Sequence, residues 1–136
     1  MTLPNLTREE AEALVGGALL ASNVSGKNAV SVTRALVAAE IDGQVGHGLS
    51  RVSSYCAQAA SGKVDGHASP MAQRAASAFF RIDAANGFAF PAMDLAIEEV
   101  AGAAMETGIA AASITRSHHC GQAGAHVEKL AERGCV

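Results

Sequence analysis

The chain has 136 residues, of which 49% are hydrophobic and 17% charged, and its formal net charge is −3. This length allows one domain with a hydrophobic core, and the net negative charge argues against a nucleic-acid surface, which requires a basic patch. The three cysteines, Cys56, Cys120 and Cys135, have no paired spacing, which predicts a reduced, cytoplasmic environment. Residues 1–5 lack the pattern of a signal peptide, and no apolar run approaches the roughly 20 residues of a membrane span.

The first half of the chain has the 3.6-residue periodicity of amphipathic helices. Thr7 and Glu10 form a capping-box pattern before the first helix, and Asn28 is placed as the N-cap of the second. Gly62 is a natural stop for the third helix, and a loop is predicted over 62–71 because glycine, serine and proline are concentrated there. The predicted helices cover residues 8–22, about 28–41, and 49–61.

The second half alternates strand and helix patterns. A β-rich run leads into an Asn-Gly turn signal, and Pro91 fits the first turn of the helix that follows. The last helix is expected to bury the side chains of Ala123, Val127 and Leu130. This β-α-β-α order predicts a layered α/β fold with at least one crossover helix. The predicted strands cover residues 78–83 and 109–115, the second of them buried, and the predicted helices cover residues 91–108 and 122–133.

The end of the chain, residues 134–136, is interpreted as the opening of a further strand. A compact domain rarely stops on the first residues of a strand, because the neighbouring backbone groups then stay unpaired. The sequence therefore predicts a truncated or split product of a longer protein.

His47 lies between two glycines just before a predicted helix, and Arg51 follows four residues later. If His47 begins the helix, this spacing places both side chains on one face. A guanidinium there can bind a carboxylate through two parallel hydrogen bonds, and the imidazole can fix a neighbouring oxygen. A surface histidine and a solvated arginine without a shared role explain the same spacing, which is common in helices.

The run SHHCG at residues 117–121 follows a predicted strand and precedes a helix. Ligands of α/β folds gather beyond the carboxyl ends of strands, so this position favours a site. A histidine is suited to proton transfer because its ordinary pKa is about 6.5, although a helix-capping role explains the pair His118 and His119 equally well. Gly121 and Gly124 would let a ligand approach the backbone closely at a helix N-terminus.

Other chemistry has less support in the sequence. The consecutive His-His-Cys side chains cannot readily point at one metal ion, and no spaced ligands accompany them. Cys120 lacks a recognisable oxyanion-hole motif for nucleophilic catalysis, and no G-x-G-x-x-G dinucleotide fingerprint occurs. His67 and His126 are interpreted as structural or solvated, and Asp83 as an acceptor that stabilises the following turn.

Three segments together resemble the malate/L-lactate dehydrogenase family, which is distinct from the Rossmann-type dehydrogenases. They are DGQVGHGLSR at 42–51, DAANGF at 83–88 and SHHCGQAG at 117–124. The family includes ureidoglycolate and sulfolactate dehydrogenases and reductases of piperideine- and pyrroline-2-carboxylate. The resemblance covers almost the whole chain. It implies a mixed-sheet, non-Rossmann α/β fold, NAD or NADP as cofactor, a homodimer, and members more than twice as long as this chain.

The resemblance also implies roles for individual residues. The general acid/base histidine of the family falls on His119, and its substrate-side motif falls on His47 and Arg51. Arg51 would bind the substrate carboxylate, while His47 would orient the substrate or relay charge. The chain departs from the family pattern at Gly46, where the family has serine, and at Cys120, where an aromatic residue is common.

The function predicted from this resemblance is hydride transfer between NAD(P)H and a small 2-oxo/2-hydroxy acid or cyclic 2-imino acid. Residues 1–76 would form a helical substrate-side segment, and residues 77–136 the start of a cofactor-binding domain to which Gly121 and Gly124 contribute. Segments 49–51 and 60–66 favour the imino-acid reductase branch. The alternatives are an inactive truncated remnant and a helical interaction module that needs a missing half.

Overall fold

A computed structural model describes residues 5–136, so what the sequence predicts for residues 1–4 lies outside the described residues. Helices fill most of the first half, and a small sheet with two further helices forms the second half. The helices are α1 (Arg8–Ala21), α2 (Gly26–Ile41), α3 (Val52–Ala60, preceded by a 3-10 turn over Leu49–Arg51), α4 (Ala89–Thr107) and α5 (Ala123–Ala131). The strands are β1 (Met71–Ala76), β2 (Phe79–Asp83) and β3 (Ala111–Thr115).

The N-terminus of α1 has the predicted capping box. The Thr7 hydroxyl accepts a hydrogen bond from the backbone N–H of Glu10 (3.2 Å), and the Glu10 carboxylate accepts one from the N–H of Thr7 (2.8 Å). Asn28 was predicted to be the N-cap of α2, and this was wrong, because Ser25 caps the helix. Both residue types are good caps, so local pattern could not separate them.

Asn28 has a different role, which explains why it is buried. Its side-chain amide donates to the backbone carbonyls of Gly66 and Ala68, both at 2.9 Å. These bonds hold the loop after α3 against the first turn of α2. Gly66 permits this close approach, since a Cβ there would lie 2.2 Å from the backbone oxygen of Asn23.

The sheet is mixed and has the order β1-β2-β3. β1 and β2 are antiparallel, whereas β2 and β3 are parallel and joined by α4 as the crossover. The predicted α/β class and crossover helix are thereby confirmed. β1 was missed: residues 62–71 were assigned to a loop and no strand was predicted before residue 78. All six residues of β1 are exposed, so the strand has no alternating hydrophobic pattern to detect.

Two further predictions about burial were wrong. β3 was expected to be buried, but it is an edge strand whose residues are exposed or half-buried, and Ile109 before it is 77% exposed. In α5, the expected inner residues Ala123 and Val127 are exposed and Leu130 is only partly buried, while His126 is buried at 8% exposure. Hydrophobic periodicity assigns the wrong face here because the helix packs through a polar residue.

The predicted strand at residues 134–136 is absent from the described structure. The backbone N–H of Cys135 instead donates to the carbonyl of Leu130 at 3.0 Å, and Gly134 adopts a positive φ of 79°. These contacts end α5 with a left-handed C-terminal turn. Among the described helices, none is long and apolar enough to cross a bilayer.

Two hydrophobic clusters meet at the beginning of α4. The first lies among α1, α2 and α3, and the second lies between the sheet and α4. Phe88 and Phe90 come from the segment that starts α4, yet they belong to the first cluster. This packing fixes the second half of the chain against the first, and the candidate site lies at the same junction.

Candidate active site

The two histidine motifs, far apart in the sequence, meet in the structure. His47 precedes the 3-10 turn of the first half, and His119 lies in the loop between β3 and α5. Their rings stack with centroids 5.4 Å apart and planes inclined by 15°. The structure therefore brings together the residues for which the family resemblance implied one site.

Tyr55 is a third member of this cluster that the sequence analysis missed. It is the only tyrosine of the chain, and it is buried on α3 with its hydroxyl 3.0 Å from Nδ1 of His119. Its ring stacks on Phe88 with centroids 5.6 Å apart. A signal was available, because Tyr55 follows Arg51 by four residues and so falls on the same helical face.

The hydrogen bonds around His119 determine its neutral tautomer. The backbone N–H of Gly121 points at Nδ1 of His119 at 3.3 Å. A backbone N–H can only donate, so Nδ1 is the accepting nitrogen and the ring proton of neutral His119 lies on Nε2. The Tyr55 hydroxyl then donates to the same nitrogen. In this tautomer, Nε2–H is the end of the ring left to donate a hydrogen bond to a ligand.

Burial and nearby positive charge set the protonation of this cluster. Burial, followed by the charges of His47 and Arg51, lowers the pKa of His119 below its ordinary value. Burial raises the pKa of Tyr55 to about 12, with Cys120 adding to the increase and Arg51 opposing it. At neutral pH the site thus contains a neutral imidazole and a neutral phenol beside a permanent guanidinium.

Arg51 is exposed, and its charge acts on His119. Its Nε donates to the carbonyl of Gly46 at 2.6 Å, which orients the guanidinium. Within residues 5–136, the structure shows no hydrogen bond from the two terminal Nη groups, so both can bind a carboxylate. Gly46, where the family has serine, has open space where a Cβ would lie, and a serine would fit there.

Gly48 is required for the shape of the segment that carries His47 and Arg51. A Cβ at this position would lie 3.0 Å from the backbone of Glu40 and closer still to its carboxylate. That carboxylate accepts the backbone N–H of Leu49 at 2.8 Å. The loop is thereby fixed directly against α2, and the 3-10 turn starts at a defined position.

His118 does not share the role of its neighbour. Its Nε2 lies 3.1 Å from the side-chain oxygen of Gln58, and its ring makes edge contacts with Tyr55 and Phe88. Burial lowers its pKa, and the charges of His119 and Lys63 add to this effect. His118 is therefore a packing residue beneath the site.

Gly121 and Gly124 were predicted on the cofactor side, and the structure gives them different surroundings. Gly121 has a φ of +73°, and a Cβ there would lie 2.8 Å from the ring of Phe90. Packing and backbone conformation thus explain this glycine without a ligand. Gly124 has open space where a Cβ would be, and no side chain caps the first turn of α5.

The remaining candidates have structural roles. Asp83 accepts the backbone N–H of Ala85 at 2.9 Å and pairs with Arg116, as expected of a turn-stabilising acceptor. His67 is exposed and lies 3.2 Å from the side chain of Asn23. Among residues 5–136, no three His, Cys, Asp or Glu side chains are grouped closely enough to bind a metal ion.

Comparison with known proteins identifies the family. The family model for malate/L-lactate dehydrogenase matches residues 6–136. The chain belongs to the malate/L-lactate dehydrogenase family. One relative within it is the (2R)-3-sulfolactate dehydrogenase (NADP(+)) of Chromohalobacter salexigens, which is 45% identical over 96% of this chain and 39% of its own length. A Δ1-pyrroline-2-carboxylate/Δ1-piperideine-2-carboxylate reductase of Pseudomonas putida is 42% identical over 72% of this chain and 29% of its own length.

Solved structures of the family share the fold. The Δ1-piperideine-2-carboxylate reductase of Pseudomonas syringae pv. tomato superposes with a TM-score of 0.91 at 32% identity, over 97% of this chain and 40% of that chain. A malate dehydrogenase of Entamoeba histolytica gives a TM-score of 0.91 at 24% identity, over 98% of this chain and 37% of that chain. The chain thus spans about two fifths of the length of these proteins or less.

Proposed function

We propose that this chain forms the substrate-binding and proton-transferring part of an NAD(P)-dependent oxidoreductase. The substrate would be a small 2-oxo/2-hydroxy acid or a cyclic 2-imino acid. The observation that carries the proposal is the stacking of His47 on His119 beside the free guanidinium fork of Arg51. The names of the relatives support it, since they act on a sulfonated hydroxy acid and on cyclic imino acids.

Each side chain has a part in the proposed reaction. Arg51 binds the substrate carboxylate through its two Nη groups, and His47 orients the adjacent oxygen or nitrogen. In the reductive direction, charged His119 supplies its Nε2 proton to that atom and is left neutral with its remaining proton on Nδ1, where the Tyr55 oxygen can accept it. In the oxidative direction this Nδ1–H form accepts the proton at Nε2. The nicotinamide cofactor, when bound, supplies or accepts the hydride.

The contacts at Nδ1 tune His119 for this exchange. In the neutral ring, Nδ1 accepts from both the Tyr55 hydroxyl and the Gly121 N–H. When the ring is charged, Nδ1 carries a proton and can donate to the Tyr55 oxygen, whereas the Gly121 N–H has lost its acceptor. Tyr55 therefore serves both states, whereas the Gly121 N–H stabilises only the neutral ring with an unprotonated Nδ1, which disfavours the charged form in the absence of a ligand.

The division of the chain, the cofactor, the oligomeric state and the cellular location are proposed on the same basis. Residues 1–76 would form the substrate side, and residues 77–136, with Gly121 and Gly124, would begin the cofactor-binding domain. The cofactor would be NAD or NADP, and one relative is named for NADP. We also propose a homodimer in the cytoplasm, which the family resemblance and the unpaired cysteines support.

A chimeric enzyme tests the proposal, because it supplies the part of the family fold that lies outside this chain. Residues 6–136 would replace the matching segment of the sulfolactate dehydrogenase of Chromohalobacter salexigens. We expect NADP-dependent turnover of sulfolactate or of a cyclic imino acid, followed by absorbance at the nicotinamide band. His119→Gln should lower kcat by roughly 100-fold or more, the range of general acid/base catalysis.

His67→Gln is the matched control, since His67 is an exposed histidine whose side chain pairs with Asn23, away from the cluster. Its kcat should equal that of the parent chimera. Turnover that survives His119→Gln unchanged would show that His119 is not the proton donor. A chimera that folds and binds NADP but turns over nothing would favour the alternative of an interaction module without chemistry.

A further inference from the structure

We infer that His126 is a positioning residue that orients the peptide between Cys120 and Gly121 and thereby fixes the tautomer of His119. The inference rests on the proposed function only in taking His119 as the acid/base group. It concerns a histidine that the sequence analysis interpreted as merely structural or solvated. His126 makes its hydrogen bond to the backbone of the loop that carries His119, so it acts on the cluster through that loop.

The geometry of His126 allows a single arrangement of its ring proton. Its Nε2 lies 2.8 Å from the carbonyl oxygen of Cys120. A carbonyl only accepts, so Nε2 must carry a hydrogen, and in the neutral ring Nδ1 is then the nitrogen without one. Nδ1 is buried and has no partner among the described residues. The His126 ring therefore makes one hydrogen bond, and its acceptor lies in the loop that carries His119.

The acceptor of this bond belongs to the same peptide unit that contacts His119. The carbonyl of Cys120 and the N–H of Gly121 are the two polar ends of one planar amide. His126 holds the oxygen end, and the hydrogen end points at Nδ1 of His119. Rotation of this amide would break both bonds together. The bond from His126 therefore determines whether His119 keeps its Nδ1 acceptor role.

The loop has a second anchor on the other side of His119. The backbone N–H of His118 donates to the carbonyl of Gly87 at 3.2 Å. Gly121 closes the loop with its positive φ, and a Cβ there would lie 2.8 Å from the ring of Phe90. His119 thus lies between two anchors, the carbonyl of Gly87 before α4 and the ring of His126 on α5. Only His126 is bonded to the amide that faces the His119 ring.

His126 can act in this way because α5 is itself held in place. Lys129, one turn further along α5, forms an ion pair with Asp94 of α4 at 2.7 Å. Asp94 also accepts from Ser31 (2.7 Å) and Arg34 (2.6 Å) of α2. Burial acts to raise the pKa of Asp94, but the hydrogen bonds from Lys129 and Ser31 together with the charges of Lys129 and Arg34 lower it overall. The carboxylate therefore stays charged and the three helices stay joined.

Two substitutions at His126 in the 136-residue chain test the inference by NMR. His126→Leu removes the donor and keeps a similar volume, whereas His126→Gln retains an N–H donor near the position of Nε2. In the parent chain, Nδ1 of His119 should give the 15N shift of an unprotonated nitrogen and Nε2 that of a protonated one. In His126→Leu we expect the two shifts to move toward each other and exchange of the Gly121 amide to accelerate at least 10-fold.

The amides of Val32 and Leu36 in the α2 core serve as the internal control and should keep their protection in both variants. His126→Gln should restore the parent shifts of His119 and the slow exchange of Gly121. Unchanged shifts and exchange in His126→Leu would overturn the inference. An equal loss of protection at Gly121 and in the core would also overturn it, because His126 would then only stabilise the fold. None of these readouts needs turnover, so they are independent of the chimera experiment.

Discussion

The two glycines of the G-x-x-G segment should respond in opposite ways to the same substitution. Gly121→Ala places a methyl group 2.8 Å from Cε1 and 3.1 Å from Cζ of Phe90, in a backbone conformation with φ of +73°. Gly124→Ala meets no atom within 4 Å and lies in the first turn of α5. The pair therefore separates a glycine needed for packing from one that the fold does not require.

The magnitude follows from two separate costs at Gly121. An alanine in the left-handed region costs about 1–2 kcal/mol, and forcing a methyl group into a packed core costs about 1–3 kcal/mol more. Phe90 is buried in the first core cluster and has little room to move. We expect Gly121→Ala to lower the free energy of unfolding by about 2–5 kcal/mol in total. Gly124→Ala should raise it by up to about 1 kcal/mol, the usual gain on replacing glycine in a helix.

Urea unfolding followed by circular dichroism measures both differences on the same chain. Nearly equal stabilities of the two variants would refute the structural account of Gly121. In the chimeric enzyme, a rise in the KM for NADP in Gly124→Ala, without a loss of stability, would support a cofactor contact at α5. An unchanged KM would remove Gly124 from the proposed cofactor site.

Two further outcomes follow from the charges in the site. Arg51→Lys in the chimera replaces a guanidinium that can form two parallel hydrogen bonds by a single point charge. It should raise the KM for the acid substrate roughly 10–100-fold, with a smaller change in kcat. An unchanged KM in steady-state assays would remove Arg51 from the carboxylate site. Because folding lowers the pKa values of His118 and His119 below 6.5, the unfolded chain binds more protons just below that pH. The free energy of unfolding should therefore fall as the pH drops through 6.5. Urea unfolding of His118→Phe at several pH values should show a smaller fall than in the parent chain. The same dependence of the free energy on pH in both proteins would contradict this.

The helical half of the fold was predictable because its elements carry strong local signals. The capping box of Thr7 and Glu10, the glycine stop at Gly62 and the apolar stripes each depend on neighbouring residues only. The β-α-β crossover was predictable for the same reason. β1 was not, since periodicity detects burial and this strand is exposed along its whole length. Its identity as a strand comes from pairing with β2, which is a tertiary contact.

The site was predictable only in part. Local pattern left His47, Arg51 and the 117–121 run with unrelated structural explanations, and the family resemblance joined them into one hypothesis. The structure then shows His47 and His119 stacked, while their chemical roles stay predictions. Tyr55 was missed because its bond to His119 is made across the fold, and His126 was interpreted as structural or solvated because its bond to the Cys120 carbonyl leaves no sequence pattern. No spacing rule within one helix specifies such a partner.

The contacts around His119 assign positioning and proton exchange to different groups. The pKa of Tyr55 is about 12, so its phenol stays protonated throughout the range in which His119 gains or loses its proton. Because a hydroxyl can both donate and accept, Tyr55 stays bonded to Nδ1 in either state. The Gly121 amide, held by His126, bonds only the neutral ring. Protonation of this ligand-free ring at Nδ1 therefore changes one bond while the other holds the ring in place, and it leaves Nε2–H as the proton that can pass to a ligand.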